Sequence, residues 1–212
     1  MPSDSHHTDR TDDELMRAFA AGDGAAFDAL YQRHQAGLYR FVRRVLGRSG
    51  ALQVDEVFQD TWLRAIEARA KWQPQGASFR TWLFTLAHHR AIDCLRKTGR
   101  EVSLNDDARD GPRDIDTPPF EPETTAWCAW PAPAAEDIAF WRAAGQKLLD
   151  CLDGLPPPQR AAFLLHHEDG LSVDELAQAL ETGFETAKTR LRYAMSKLRL
   201  CMGAYLGPAG LA

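Results

Sequence analysis

The sequence predicts an all-α protein made of two small helical units joined by a flexible acidic linker. Three observations carry this prediction. Apolar residues recur at three- and four-residue spacing through two long stretches, and each stretch contains a capping box that fixes a helix start. Between them, residues 98–140 hold ten acidic residues, five prolines ahead of Ala132 and little periodicity, the composition of a solvated, extended segment. No segment alternates in the two-residue rhythm of a strand. The resulting division is a disordered N-terminus over 1–11, a helical unit over 12–97, a linker over 98–140 and a second helical unit over 141–205.

The elements follow in order. Thr11-Asp12-Asp13-Glu14 is a capping box opening a helix that carries Leu15, Met16 and Phe19. Phe27, Leu30, Tyr31, Leu38, Phe41, Val42 and Val45 form the apolar stripe of a second helix, which Gly47 stops. A third helix runs from about Val54 to Trp72, with Val54, Phe58, Trp62 and Ala65 on one face and Asp55, Glu56, Gln59, Asp60 and Leu63 on the other. Pro74 and Gly76 make the next segment a loop. A fourth helix, about Ser78 to Lys97, turns Leu83, Leu86, Ala87, Ala91 and Leu95 inward. Within the linker, Phe120, Trp127 and Trp130 are larger than a pure spacer requires.

Helical spacing resumes at Trp141, Ala144, Leu148, Leu152 and Leu155. Pro156-Pro157-Pro158 ends that helix and supplies first-turn prolines for the next, which carries Ala162, Phe163 and Leu165. Glu168-Asp169-Gly170 is a turn. Ser172-Val173-Asp174-Glu175 is the second capping box, flanked by a Leu171–Leu176 hydrophobic staple. A last helix, about Glu185 to Cys201, buries Ala187, Leu191, Ala194 and Leu198.

Composition narrows the function. At 44% hydrophobic and 26% charged, the chain of 212 residues has enough apolar material for packed cores. No secretory signal and no apolar run of the ~20 residues a membrane helix needs is visible, so a cytoplasmic protein without membrane insertion is expected. The four cysteines, Cys94, Cys128, Cys151 and Cys201, are widely spaced and are expected to be free thiols or small apolar residues, with no disulfide and no zinc site. His88-His89 and His166-His167 are adjacent, not i, i+3 or i, i+4, so neither a metal nor another cofactor is expected.

The net charge of −5 conceals a strong pattern. Residues 25–100 carry 13 basic and 6 acidic side chains, residues 101–137 carry 2 and 10, and residues 184–202 carry 5 and 1. Two cationic segments able to hold phosphates therefore flank an anionic one.

The C-terminal pair of helices is the sharpest functional signal. A capped helix, a short break at 181–184 and a basic amphipathic helix make a helix-turn-helix. Its outward face holds Glu185, Thr186, Lys188, Thr189, Arg192 and Ser196, side chains suited to base edges and phosphates in a major groove. Arg190, Tyr193, Lys197 and Arg199 lie beside or flank that face. In the first half, Trp72, Phe79, Trp82 and Phe84 are interleaved with Lys71, Arg80, Arg90, Arg96 and Lys97, a mixture suited to unpaired bases and their phosphates. At least half of those rings are expected to be buried packing. The acidic stripe of the third helix is by itself an ordinary solvated face. A run at His166, His167, Glu168 and Asp169 resembles a catalytic cluster, but a helix end and turn accounts for it.

These residues resemble a known family. Val54-Asp55-Glu56-Val57-Phe58-Gln59-Asp60-Thr61-Trp62-Leu63-Arg64-Ala65 is similar to region 2.2 of the extracytoplasmic-function sigma factors of the sigma-70 family. Phe79-Arg80-Thr81-Trp82-Leu83-Phe84-Thr85-Leu86-Ala87, continuing through Arg90-Ala91-Ile92-Asp93-Cys94-Leu95-Arg96-Lys97, is similar to regions 2.3 and 2.4. Leu155-Pro156, Gln159-Arg160, Phe163-Leu164-Leu165, Glu168-Asp169-Gly170-Leu171-Ser172, Glu175-Leu176-Ala177 and Thr186-Ala187-Lys188-Thr189-Arg190-Leu191 are similar to region 4. The likeness covers roughly 12–97 and 141–202, in order.

The resemblance implies a promoter-directing subunit and no enzyme. Asp55, Glu56, Gln59, Asp60 and Leu63 would meet the clamp of core RNA polymerase. Lys71, Trp72, Phe79, Arg80 and Trp82, with His88, His89, Arg90, Arg96 and Lys97 further along the helix, would hold the melted −10 element. Glu185, Thr186, Lys188, Thr189, Arg190, Arg192, Tyr193, Ser196 and Lys197 would read the −35 element, with this unit also touching the polymerase flap. Such factors are often held inactive by an anti-sigma factor, a further expected partner. The rival reading is a stand-alone helix-turn-helix regulator with an N-terminal sensing or dimerisation half. The chain departs from the family pattern at Glu181, where glycine is usual and a left-handed residue would cost ~1 kcal/mol, at Thr182 and Gly183 in the same turn, and at His89 beside the −10 base pocket.

Overall fold

The computed structural model describes residues 10–72, 78–97 and 135–203. The linker from 98 to 134, with Phe120, Cys128, Trp127 and Trp130, and the first nine residues of the expected disordered start lie outside the described residues. Among the described residues there are eight α-helices: α1 (Asp12–Ala20), α2 (Gly24–Leu46), α3 (Val54–Ala68), α4 (Phe79–Lys97), α5 (Ala135–Asp153), α6 (Pro157–His167), α7 (Val173–Ala179) and α8 (Phe184–Cys201). A 3₁₀ segment, Arg48–Gln53, joins α2 to α3. The all-α expectation holds.

Local hydrogen bonding explains most boundaries. Thr11 Oγ1 accepts from the Glu14 N–H at 3.3 Å while the Glu14 carboxylate accepts from the Thr11 N–H at 2.8 Å, so the expected box satisfies donors that α1 itself leaves open. Ser172 and Glu175 repeat the arrangement at α7, at 3.3 and 2.9 Å. Gly47 ends α2 with φ of 63°. Two boundaries differ from expectation. Helix α3 stops at Ala68, not Trp72: the Arg69 N–H donates to the Ile66 carbonyl at 3.3 Å and the Lys71 N–H to the Ala68 carbonyl at 2.9 Å, each three residues back and not four. Helix α5 spans Ala135–Asp153 and so takes in residues 135–140 of the expected linker.

The turn between α7 and α8 is a Schellman ending. The Thr182 N–H donates to the Ala177 carbonyl at 3.0 Å and the Glu181 N–H to Gln178 at 3.1 Å. Its left-handed position is Glu181, with φ of 46°. The same hydrogen-bond pattern ends α1, where Gly22 occupies that position with φ of 103°. Glu181→Gly is therefore expected to stabilise the chain by about 1 kcal/mol, removing the Cβ strain. Thermal denaturation reads this as a rise of about 2–4 °C; an unchanged or lower midpoint would contradict it.

In the N-terminal half, α1 lies on α2, and α3 and α4 pack on α2 and on each other. Leu15, Leu30, Leu38, Phe41, Leu83 and Phe84 are at most 1% exposed, and Phe27, Tyr31, Phe58 and Trp62 form a chain of ring contacts between α2 and α3. In the C-terminal half, α6 crosses α8, and α7 closes the third side around Leu164, Leu165, Leu176, Leu191 and Leu198.

The halves also pack on each other, α2 against α6 and α4 against α7. At the centre of that seam lies Arg160, 7% exposed. It donates to the carbonyls of Arg44 (3.2 Å) and Val45 (3.3 Å) in α2 and to those of Asp153 (3.0 Å) and Leu155 (2.9 Å) in its own half. A Cβ at Gly47 would sit 2.4 Å from Arg160 Nη1 and 2.8 Å from Asp153 Oδ1, so a side chain there, besides facing a φ of 63°, would displace the ends of both side chains.

The cysteine expectation is corrected. Cys151 and Cys201 form a disulfide between α5 and the end of α8, with Cα atoms 5.9 Å apart, while Cys94 is a free thiol. The two bonded residues are 50 positions apart, so spacing could not reveal a pair that only helix packing brings within bridging distance.

Candidate polymerase and nucleic-acid interface

Helix α3 separates into two faces. Val54, Val57, Thr61, Trp62 and Ala65 are buried, which leaves Asp55, Glu56, Gln59 and Leu63 exposed, Leu63 at 58%. Tyr39 Oη donates to Asp55 Oδ1 at 3.1 Å and steadies one end of the stripe. At the other end, Asp60 accepts from Arg64 Nε at 3.0 Å and also pairs with Arg90 of α4. Burial pushes the Asp60 carboxyl up, but the two guanidiniums outweigh it and hold the group below its ordinary value. An acidic, apolar-tipped ridge results. Arg90, expected at the −10 element, is here paired with Asp60, a member of the stripe expected at the polymerase clamp.

Helix α4 begins with a long-range cap. The Phe79 N–H donates to Asp13 Oδ1 at 3.0 Å, a contact no local motif announces. Phe79 and Phe84 are each 1% exposed, while Trp72 and Trp82 flank Phe79 at centroid distances of 6.3 and 5.8 Å and are half-buried. Two of the four rings are thus core, and the tryptophans keep an accessible edge. Lys71, Arg96 and Lys97 are exposed.

Further along α4, His88 is 4% exposed, and its Nδ1 has no hydrogen-bond partner. Burial pulls its pKa down to about 3, with the charges of His89, Arg190 and Arg96 acting in the same direction, so the ring is neutral. Arg80 donates to the Asp169 carbonyl and lies 3.6 Å from Asp169 Oδ1. Burial pushes the Asp169 carboxyl up to about 6 against the pull of Arg80, Arg40 and Arg44.

The last helix places Glu185, Lys188 and Arg192 on the open surface, with Thr186, Thr189, Tyr193, Ser196 and Lys197 partly covered. Ala187, Leu191, Ala194 and Leu198 are buried, as their spacing predicts, but Arg190 is only 7% exposed. The Arg192 guanidinium lies over the Tyr193 ring at 5.3 Å. Gly183 caps α8 without a side-chain bond. His166 is spent on structure, its Nδ1 2.7 Å from the Leu171 carbonyl, and His167 stacks on Phe163 at 4.6 Å.

A helical bundle followed by a capped helix-turn-helix is the form of a two-part nucleic-acid-binding protein. Comparison with known proteins narrows the class. Residues 30–101 match sigma-70 region 2 and residues 145–198 match sigma-70 region 4. The ECF RNA polymerase sigma factor SigK of Mycolicibacterium vanbaalenii is 30% identical over 191 residues, 90% of this chain and 89% of that protein. SigK of Mycobacterium ulcerans is also 30% identical, over 92% of this chain and 96% of its own. The chain belongs to the extracytoplasmic-function RNA polymerase sigma factors. In fold it is similar to CnrH, solved with the cytosolic domain of CnrY, at a TM-score of 0.58 and 22% identity over 91% of this chain and 98% of that one. It is likewise similar to the sigma factor RpoE of Bartonella quintana, solved with the anti-sigma factor NepR, at a TM-score of 0.57 and 21% identity over 84% and 96% of the two chains. The place a sensing or dimerisation half would occupy in a stand-alone regulator is taken by region 2.

Proposed function

We propose that this sigma factor docks on the polymerase clamp through the α3 ridge of Asp55, Glu56, Gln59, Asp60 and Leu63. It would hold the melted −10 element with the Trp72–Trp82 edge and the cations of α4, and read the −35 duplex with α8. The observation that carries the reading is the exposed face of α8: Glu185, Lys188 and Arg192 project from a helix whose opposite side is locked into the α6–α7 packing. The unit proposed for region 4 spans 141–205 and that for region 2 spans 12–97, with the intervening acidic segment as a tether. Among the described residues no helix is long and apolar enough to cross a membrane, and action beside the polymerase in the cytoplasm is part of the proposal. So is regulation by an anti-sigma partner, supported by the complexes in which the RpoE and CnrH folds are found.

Reconstitution with purified core polymerase on a library of upstream fragments tests the reading. The expected result is promoter-specific transcripts absent with core alone. Arg192→Ala should reduce them roughly ten-fold, the weight of one good base or phosphate contact, while leaving binding to core intact. No transcript and no core binding by the wild-type chain would overturn the assignment.

A further inference from the structure

We propose that Phe184 is a specificity-determining residue of α8, reading the C5-methyl group of a thymine in the −35 duplex. The inference rests on the assignment of α8 to that duplex. Phe184 is the first residue of the helix and is 43% exposed. One and two turns further on, Ala187 and Leu191 are buried as their spacing demands, so the ring is apolar material left outside the core. An aromatic ring stabilises a fold by being buried, and a solvated helix start gains little from one. Among the described residues of the helix-turn-helix, one other large apolar side chain is exposed. It is Leu200, in the last turn, roughly 24 Å further along the axis.

The neighbours of Phe184 define what it meets. Glu185 follows it and Lys188 lies four residues on, hence on the same side, and both are exposed. In a helix-turn-helix the N-terminal residues of the second helix are the ones that reach base edges. A lysine there can hold a phosphate or a guanine and a glutamate can accept from a cytosine amino group, but a phenyl ring offers neither donor nor acceptor. The apolar group that a base pair presents in the major groove is the thymine methyl, and an apolar side chain selects for it. The backbone sets the ring at the tip of the helix. Gly183, extended at φ −71° and ψ 153°, puts no side chain in front of it, and even a Cβ there would meet nothing within 4 Å. The Ala187 N–H donates to the Gly183 carbonyl at 3.0 Å and the Thr182 N–H to Ala177 at 3.0 Å, so the start of α8 is held on both sides and the ring is presented from a fixed base.

The test uses the full chain on core polymerase and a promoter recovered with it. Each thymidine of the −35 element is replaced in turn by deoxyuridine, which removes the methyl and keeps every hydrogen-bonding group. Holoenzyme affinity is read by gel shift. For the wild type, replacement at one position or two adjacent ones should weaken binding about four-fold, the worth of burying one methyl group. Phe184→Ala should lose at least that factor on the thymine template and nothing more on the uracil one. Phe184→Leu, which keeps an apolar tip, should retain most of the thymine preference, and Arg192→Ala should retain all of it. A −35 element without thymine, or a uracil penalty equal for wild type and Phe184→Ala at every position, overturns the inference. So does a loss in Phe184→Ala that is the same on every template and comes with weaker binding to core, which would place the ring against the polymerase flap. Transcription by the wild type separates these results from failure of the sigma-factor reading, in which no promoter would be recovered and the inference would fall with it.

Discussion

Replacing Arg160 with methionine is expected to destabilise the full chain by about 3 kcal/mol. The methionine keeps the stem volume but removes every donor. The carbonyls of Val45 and Leu155, which accept from this guanidinium in buried surroundings, would be left without a partner, and each such loss costs about 1–3 kcal/mol. Asp153, 3.6 Å away, would lose one of its two charge partners and keep Arg48 at 3.4 Å, and at 29% exposure solvent recovers part of the loss. Burial pulls the Arg160 pKa down and Asp153 pulls it back, yet an arginine stays ionised, so the position is a permanent buried cation whose two Nη groups donate to backbone oxygens while its Nε finds no partner. Urea denaturation checks the magnitude, and a thermal midpoint lower by roughly 6–12 °C should accompany it. A loss below 1 kcal/mol would show that the halves do not rely on this side chain.

The second large effect concerns the Cys151–Cys201 bond. Closing a loop between residues 50 positions apart restricts the unfolded chain by an amount that the chain-entropy description puts at about 4 kcal/mol. Cys201→Ser is therefore expected to lower stability by about 2–4 kcal/mol, and a reducing agent should do the same to the wild type and nothing further to the variant. Helix α5 should respond most, because α8 is its principal neighbour and the bond lies at the end of that contact. Alkylation followed by peptide mapping checks the pairing: Cys151 and Cys201 should be protected until reduction. If both are alkylated in the unreduced, denatured protein, the expectation fails.

What the sequence made legible is what hydrogen bonds within four residues encode. Both capping boxes, the Gly47 stop and the inward positions of α8 are local patterns, and each stands where it was expected. Even the strain at Glu181 follows from a turn that demands a left-handed residue, whatever occupies it. The contacts that escaped are those between distant positions. Arg160 looks like an ordinary helix-surface cation until α2 is laid against it, and Arg190 sits on a basic helix but turns into the seam. His88 and His89 look equivalent as neighbours, yet one is sealed and the other faces Glu181. Composition suggested an open tether and two independent units. Nothing in spacing or charge indicates that α6 and α7 would find complementary surfaces on α2 and α4.

The Asp13 carboxylate that meets the Phe79 amide lies 66 positions upstream of it. The first turn of the helix proposed for strand capture is thus finished by a residue of α1. A shortened form starting after α1 would strip the oxygen from that amide and uncover the apolar side of α2 at the same time. Removing α1, remote in sequence from every residue proposed to meet promoter DNA, would on that proposal loosen the grip on the melted strand without touching any of those residues.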